Sequence, residues 1–208
     1  HRVNRNSVKL YDKQGSVLRV ETTINDPYGF KVFRPSEGHP DGKLAWRPMR
    51  KGVADLYRRS QLSQASNERY LDALASVNTS TPLGEMVRDI CMPTTYNDKR
   101  VRALRPWSEE DTRLLKTVAR GEFAGNGLRN RDLQGILYDA PAQSQQEKRR
   151  RGARVTRLLR MLRAHGLLKK VQATHRYVLT SKGSDIIHAI LATQTVTLEQ
   201  LHTATASL

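Results

Sequence analysis

Alternating apolar and polar residues mark the first ordered part of the chain. Residues 7–13 and 17–24 each alternate, and a short turn around Gly15 separates them, which is typical of a β-hairpin. Pairing Lys13 with Val17 places Lys9 opposite Glu21, and a slip by one residue would mix the apolar and polar sets. The pattern therefore predicts one register, in which the following residues share an apolar face: Val8, Leu10, Leu18, Val20 and Ile24.

The rest of the first half has a weaker pattern. Helical spacing predicts two consecutive helices, 52–62 and 64–77, and a short third helix that ends near Cys91. Before them, residues 30–33 read as a third extended piece. Residues 93–106 are polar and basic, so we interpret them as an interdomain linker.

The second half alternates helices and strands in a clear order. Ser108, followed by three acidic residues, is a helix start, and Ser181 is predicted to cap the last helix. Glycines 121, 125 and 127 indicate a structural turn with no phosphate-binding motif. The predicted helices are 109–120, 131–138, 146–165 and 181–192, and the predicted short strands are 167–171 and 176–180.

This order of elements, and above all the segments 154–171 and 175–183, resembles the recognition helix and wing of bacterial winged helix-turn-helix DNA-binding domains. The resemblance covers about residues 107–192 and implies DNA binding by the long helix and the wing. The whole sequence is also similar to a group of bacterial proteins that are often associated with mobile elements.

Charge points to a polyanionic partner. The 208 residues contain 36 Lys and Arg against 20 Asp and Glu, a formal charge of +16, which favours nucleic acid. Cys91 is the single cysteine, so an intrachain disulfide is excluded and a reducing, cytoplasmic compartment is expected. No apolar stretch approaches the ~20 residues of a membrane span, and no membrane partner is predicted. His residues are scattered, so neither a metal nor another cofactor is predicted.

The predicted third helix of the winged region carries the nucleic-acid site. Its apolar stripe at Val155, Leu158 and Leu162 leaves a largely opposite face to arginines. Between residues 147 and 176 eleven basic residues accompany one acid, Glu147, whereas a solvated helix face normally interleaves acids. The predicted nucleic-acid-binding residues are Lys148, Arg149, Arg150, Arg151, Arg154, Arg157, Arg160, Lys169, Lys170, His175 and Arg176.

The N-terminal hairpin also resembles strands of plasmid and phage rolling-circle replication initiators, over about 20 residues. In those enzymes an acid on the second strand holds a metal ion and a helical Tyr attacks the DNA phosphate. The resemblance makes Glu21 a candidate metal ligand, Asp12 a poorer one, and Tyr57 or Tyr70 the candidate nucleophile. The two-histidine strand of those enzymes is missing, and the alternative is a charged sheet face with a Lys9–Glu21 pair.

Together these patterns predict an α+β protein: an N-terminal hairpin and partial sheet with helices, followed by a winged helix-turn-helix. The predicted divisions are 1–92 (expected to end a larger domain), the linker 93–106, the winged helix 107–192 and a tail 193–208. The predicted function is duplex DNA binding in a mobile-element, phage or plasmid process, with a homodimer left open. The alternatives are the C-terminal part of a metal-dependent DNA-nicking enzyme, or an RNA-binding protein.

Overall fold

A computed structural model describes residues 1–3, 5–13, 15, 17–74, 81–197 and 199. Over these residues the protein is mixed α and β, as predicted, with seven α-helices, a 3₁₀ turn (Asp89–Cys91) and small antiparallel sheets. The helices are α1 (Leu56–Leu74), α2 (Leu83–Arg88), α3 (Glu109–Val118), α4 (Gly121–Asn126), α5 (Asn130–Leu137), α6 (Gln145–Ala164) and α7 (Ser181–Thr193). The strands are β1 (Arg2–Val3), β2 (Asn6–Lys13), β3 (Val17–Ile24), β4 (Lys31–Arg34), β5 (Ala45–Pro48), β6 (Thr94–Tyr96), β7 (Lys99–Val101), β8 (Leu128–Arg129), β9 (Leu168–Lys170) and β10 (Arg176–Leu179). None of the helices in the described ranges is long and apolar enough to cross a membrane.

The chain divides into two compact units, and each is assembled from three segments. The first unit comprises His1–Ala75, Arg120–Asp132 and Lys169–Val178, and the second unit comprises Ser76–Ala119, Leu133–Leu168 and Leu179–Leu208. Two short segments of the region predicted as a winged helix thus cluster with the N-terminal elements. Within the predicted tail, residues 198 and 200–208 lie outside the described residues.

The N-terminal hairpin has the predicted register. β2 and β3 are antiparallel, with Lys13 opposite Val17 and Lys9 opposite Glu21. Only one end of the apolar face is buried: Val8 is 3% exposed, whereas Leu18 at the other end is 64% exposed. In the predicted turn Gly15 is described, whereas positions 14 and 16 lie outside the described residues.

A single long helix replaces the two predicted helices of the first unit. α1 runs unbroken from Leu56 to Leu74, because the stretch contains no Gly or Pro to interrupt it. Residues 75–77 of the second predicted helix lie outside the described residues. The helix packs on β3 and on α4, which forms the core of this unit.

The glycine-rich segment forms the helix α4 followed by Gly127, so the prediction of a turn is wrong for residues 121–126. In α4, a Cβ placed on Gly125 would lie 2.4 Å from Val8 Cγ2 and 2.7 Å from Ser66 Oγ. The glycine therefore lets α4 approach both the hairpin and α1. Gly127 follows at φ +68° with its backbone against the Tyr177 carbonyl, a close approach that a larger residue would block.

The second unit contains regular structure inside the predicted linker. β6 and β7 form a hairpin whose turn residues, Asn97 and Asp98, both have positive φ, as a two-residue turn between twisted strands requires. The segment predicted as a linker from its composition is therefore partly a β-hairpin.

The helices of the second unit begin at side-chain caps. Ser108 caps α3 as predicted, by accepting a hydrogen bond from the Asp111 amide. Thr180 caps α7 through the Gly183 amide, so the prediction of Ser181 as the cap is wrong by one residue. Thr180 can serve because its backbone is extended at the position just before the first helical turn.

An ion pair holds the segment that precedes α3 against the first turn of that helix. Asp111 is 1% exposed and accepts hydrogen bonds from both terminal nitrogens of Arg102, at 2.7 and 2.6 Å, and from the Arg105 amide at 2.8 Å. Burial alone would raise the pKa of the Asp111 carboxyl, but these hydrogen bonds outweigh it and hold that pKa below its ordinary value.

The close approach of α4 predicts opposite effects at two glycines. Gly125→Ala should destabilise the protein by about 1–3 kcal/mol, since its Cβ overlaps Val8 and Ser66. Gly135→Ala is the matched control, because nothing lies within 4 Å of its Cβ in α5, and it should stabilise by up to about 1 kcal/mol. Urea denaturation measures both; equal effects would place α4 farther from the hairpin.

The Asp111 pair predicts how stability depends on pH. The folded pKa lies below the unfolded value of about 3.9, so the pair stabilises fully above that value. Its contribution is lost as the pH falls through the lower, folded pKa. Asp111→Asn should cost about 1–3 kcal/mol at neutral pH and flatten the loss of stability in acid, measured by denaturation at several pH values.

Glu109→Gln is the control for that experiment, since it removes the same charge from an exposed position in the same helical turn. It should leave the acid limb of the stability curve nearly as steep as in the wild type. An Asp111→Asn variant with an unaltered acid limb would show that other carboxyls govern acid unfolding.

Candidate nucleic-acid interface

The long helix α6 is defined at both ends by its own sequence. Ser144 Oγ accepts a hydrogen bond from the Glu147 amide at 3.1 Å and so caps the first turn. At the other end Gly166 adopts φ +74°, and the Leu167 amide returns to the Leu162 carbonyl at 2.9 Å. These contacts give a Schellman-type end, which only glycine forms without strain.

Helical periodicity separates a buried face of α6 from a charged one. Leu158 is 9% exposed and Leu162 is fully buried, whereas Arg150, Arg154 and Arg157 are exposed. The predicted stripe and the predicted arginine face are therefore both present. Lys148 and Arg149 continue the exposed basic surface toward the start of the helix.

Arginines from three neighbouring segments line one cavity in the second unit, of about 640 Å³. Val101, Leu158 and Met161 give it an apolar floor, and Glu110 and Asp111 are the acids in its wall. The arginines are Arg100, Arg102, Arg105, Arg154, Arg157 and Arg160, and we call this cavity the arginine pocket. Six guanidiniums against two carboxylates make it a strongly positive concave surface.

Both acids of the arginine pocket already hold a partner. Asp111 is bound to Arg102, and Glu110 accepts a hydrogen bond from Arg154 at 2.9 Å. In the described part of the chain no carboxylate lies within the 4.0 Å ion-pair distance of the other four arginines. These four guanidiniums, at positions 100, 105, 157 and 160, are thus available to an incoming anion.

Arg151 has a different role from its neighbours on α6. Its guanidinium bonds to Glu147 one turn earlier, at 2.6 Å, and to the Ala140 carbonyl, and it stacks 4.5 Å over the Tyr138 ring. Its side chain is only 16% exposed. Arg151 therefore fastens the loop before α6 to the helix, and its donors are occupied.

The predicted residues of the β9–β10 hairpin belong to the first unit, not to the unit that contains α6. Lys169, Lys170 and His175 are exposed. Arg176 is buried instead: its Nη1 donates to the Asn126 carbonyl at 3.0 Å and its guanidinium lies 4.9 Å from the centre of the Phe30 ring. Arg176 is thus not part of the exposed basic surface.

The candidates taken from the rolling-circle resemblance do not converge on a site. Glu21 forms an ion pair with Arg19 on the same strand, and Asp12 accepts the Gly15 amide in the hairpin turn. Tyr70 is buried against the His1 ring, whereas Tyr57 is 80% exposed. Over the described ranges, no three His, Cys, Asp or Glu side chains are grouped as a metal site would need.

Sequence reasoning missed the contribution of Arg100 and Arg105 to the arginine pocket. Both lie in the segment predicted as a linker, where their basic character was visible but their position was not. The usable signal was Asn97-Asp98, a dipeptide that tolerates positive φ and so can turn a hairpin.

Compared with known protein families, with curated proteins and with solved structures, the chain has no match. The function is therefore inferred from the geometry and charge of the site.

Proposed function

We propose that this protein binds nucleic acid, with duplex DNA as its target, through the arginine face of α6 and the arginine pocket beside it. The observation that carries the proposal is the pocket itself, in which six arginines face two carboxylates that are already paired. Guanidiniums form bidentate hydrogen bonds to phosphate oxygens, and their paired donors also match the O6 and N7 acceptors of guanine.

The order of elements supports the more specific proposal of a winged helix-turn-helix. Along the chain α3, α4, β8, α5, α6, β9 and β10 follow one another, and β8 joins the hairpin strands in one sheet with the order β8-β10-β9. In that fold α6 is the recognition helix and the β9–β10 hairpin is the wing. Lys169, Lys170 and His175 are then wing contacts.

Duplex DNA is favoured over duplex RNA by the shape of the reading element. An α-helix enters the wide major groove of B-form DNA, whereas the deep, narrow major groove of A-form RNA excludes it.

The exposed Arg154–Glu110 pair costs little to open, since both side chains are 54% exposed. Arg154 can therefore exchange Glu110 for a phosphate when the duplex arrives.

The biological setting in our proposal follows from the resemblance to proteins of mobile elements. Binding at the ends or regulatory sites of such an element requires only a DNA-reading module. Selection of bound sequences from random DNA and RNA pools at a stated salt concentration tests the target, and enrichment of RNA alone would overturn the DNA assignment.

Salt dependence tests the interface directly. Replacing Arg150, Arg154 and Arg157 together with Ala should flatten the slope of log affinity against log salt by about two to three units, because each phosphate contact releases close to one counterion. Fluorescence anisotropy with a labelled duplex measures that slope. The triple variant Lys43→Ala, Lys51→Ala and Lys116→Ala removes equal charge from exposed positions elsewhere.

That control should keep the wild-type slope to within about one unit. An unaltered slope in the α6 variant would remove this helix from the interface, whatever the total affinity.

Two adjacent residues of α6 separate folding from binding. Leu158→Ala should cost on the order of 2–5 kcal/mol of stability, since Leu158 lies in the core. Arg157→Ala should leave stability within about 0.5 kcal/mol while weakening DNA binding, because the side chain is exposed. Thermal melts and DNA titrations of both variants decide; an Arg157→Ala protein with intact binding would place the interface elsewhere.

A further inference from the structure

A second basic pocket lies wholly within the first unit. Its volume is about 220 Å³, and Phe30, Leu62 and Val178 supply apolar wall. Six cations from four elements line it, and its lining contains no carboxylate. They are Lys31, Arg58, Arg69, Lys169, Lys170 and Arg176, and we call this cavity the small basic pocket.

Arg176 is the unusual member of the small basic pocket. The residue is 5% exposed, and its Nε is buried with no hydrogen-bond partner among the described residues. Arg129 stands directly opposite it in the β8–β10 register, so a second positive charge shares this face of the sheet. Both guanidiniums reach the backbone at Gly29, where a Cβ would lie 2.7 and 2.8 Å from their nitrogens.

Arg176 forms no ion pair with any described residue. No carboxylate oxygen of the described residues lies within 4.0 Å of it; Asp26 and Asp132 act only from farther away. Burial, and then repulsion from Arg129, lowers the pKa of Arg176 to about 10. A buried charge without a counter-charge is destabilising, so the folded protein gains if an anion enters.

The guanidiniums of the small basic pocket are already held in place. Arg69 donates to the carbonyls of Ala124 and Gly125, and Arg58 Nε donates to the Lys31 carbonyl at 3.2 Å. Burial lowers the pKa of Arg69 as well. Carbonyl oxygens orient these donors but bring no full negative charge, so the pocket is pre-organised for an anion.

We propose that the small basic pocket binds a phosphomonoester dianion. A volume of about 220 Å³ is below the ~300–1,000 Å³ of pockets for drug-sized ligands, so the occupant is compact. Two negative charges and three terminal oxygens suit several fixed guanidiniums better than a single carboxylate does. The group can belong to a free small molecule or to the phosphorylated end of a nucleic-acid strand.

Isothermal titration calorimetry of the full chain with glycerol 2-phosphate tests the proposal. We expect saturable binding with one site per chain. Arg176→Leu should abolish it, since the variant removes the buried guanidinium and its charge. Replacing Lys169 and Lys170, both exposed, with Ala should weaken it about tenfold or more, roughly the effect of losing a charged hydrogen bond.

The double variant Lys43→Ala, Lys116→Ala is the control, because it removes the same charge from exposed residues outside the pocket. It should bind glycerol 2-phosphate as the wild type does. Absence of saturable binding to the wild type, or equal weakening in the control and in the Lys169, Lys170 variant, would overturn the proposal. If Arg176→Leu does not fold, the comparison of the two lysine variants decides.

Competition with two oligonucleotides of one sequence distinguishes the sources of the phosphate. Displacement of glycerol 2-phosphate only by the 5′-phosphorylated strand identifies a strand end, and displacement by neither identifies a free small molecule. Equal displacement by both would show that the pocket takes backbone phosphodiesters, which contradicts a phosphomonoester site. Lys169 and Lys170 also belong to the proposed wing, but Arg176 lies outside the exposed basic surface and glycerol 2-phosphate is not a duplex. Failure here and failure of duplex binding are therefore separate results.

Discussion

Sixteen excess positive charges have to be accommodated in a chain with only 20 carboxylates. Three of those carboxylates lie where helices begin and hold arginines there. Asp55 precedes α1 and binds Arg50, Asp111 in the first turn of α3 binds Arg102, and Glu147 in the first turn of α6 binds Arg151. Each also lies at the positive end of a helix dipole, so one side chain stabilises both the helix start and a neighbouring segment.

This use of the acids leaves most cations of the concave surfaces without a counter-charge. In the arginine pocket the two acids are paired with Arg102 and Arg154, and the small basic pocket has none in its lining. Positive charge gathered in this way raises the energy of the free protein, and an anionic ligand lowers it. The unpaired cations therefore lie in concave surfaces, where an anionic ligand can reach them and lower their electrostatic energy.

The sequence pattern was sufficient to predict those parts of the fold that depend only on the alternation of one strand pair or the periodicity of one helix. The register of β2 with β3 follows from alternation alone, and the burial of Leu158 beside an exposed Arg157 follows from 3.6 residues per turn. The partition of the chain into units did not follow, because it depends on contacts distant in sequence. Gly125 against Val8 is such a contact, and a glycine in a sequence does not show which surface approaches it.

In the candidate site, too, local periodicity was predictable from the sequence and contacts between distant segments were not. The arginines of α6 share one helix, so their common face could be derived, whereas Arg100 joins them only through a hairpin that composition does not distinguish from a linker. Arg176 shows the opposite case. It sits in a basic run and in a strand that alternates, and only the three-dimensional neighbours, Phe30 and Asn126, reveal that its charge is buried.

The two pockets differ in what their charges can discriminate. Exposed guanidiniums such as Arg154 and Arg157 are surrounded by water and counter-ions, so they attract any polyanion and lose affinity steeply as salt rises. In the proposed duplex complex, any sequence preference therefore has to come from base edges rather than from the charge. The guanidinium of Arg176 is shielded from solvent, salt screens it weakly, and an anion must fit the walls to reach it. Burial, rather than the number of cations, therefore determines how selective each pocket is.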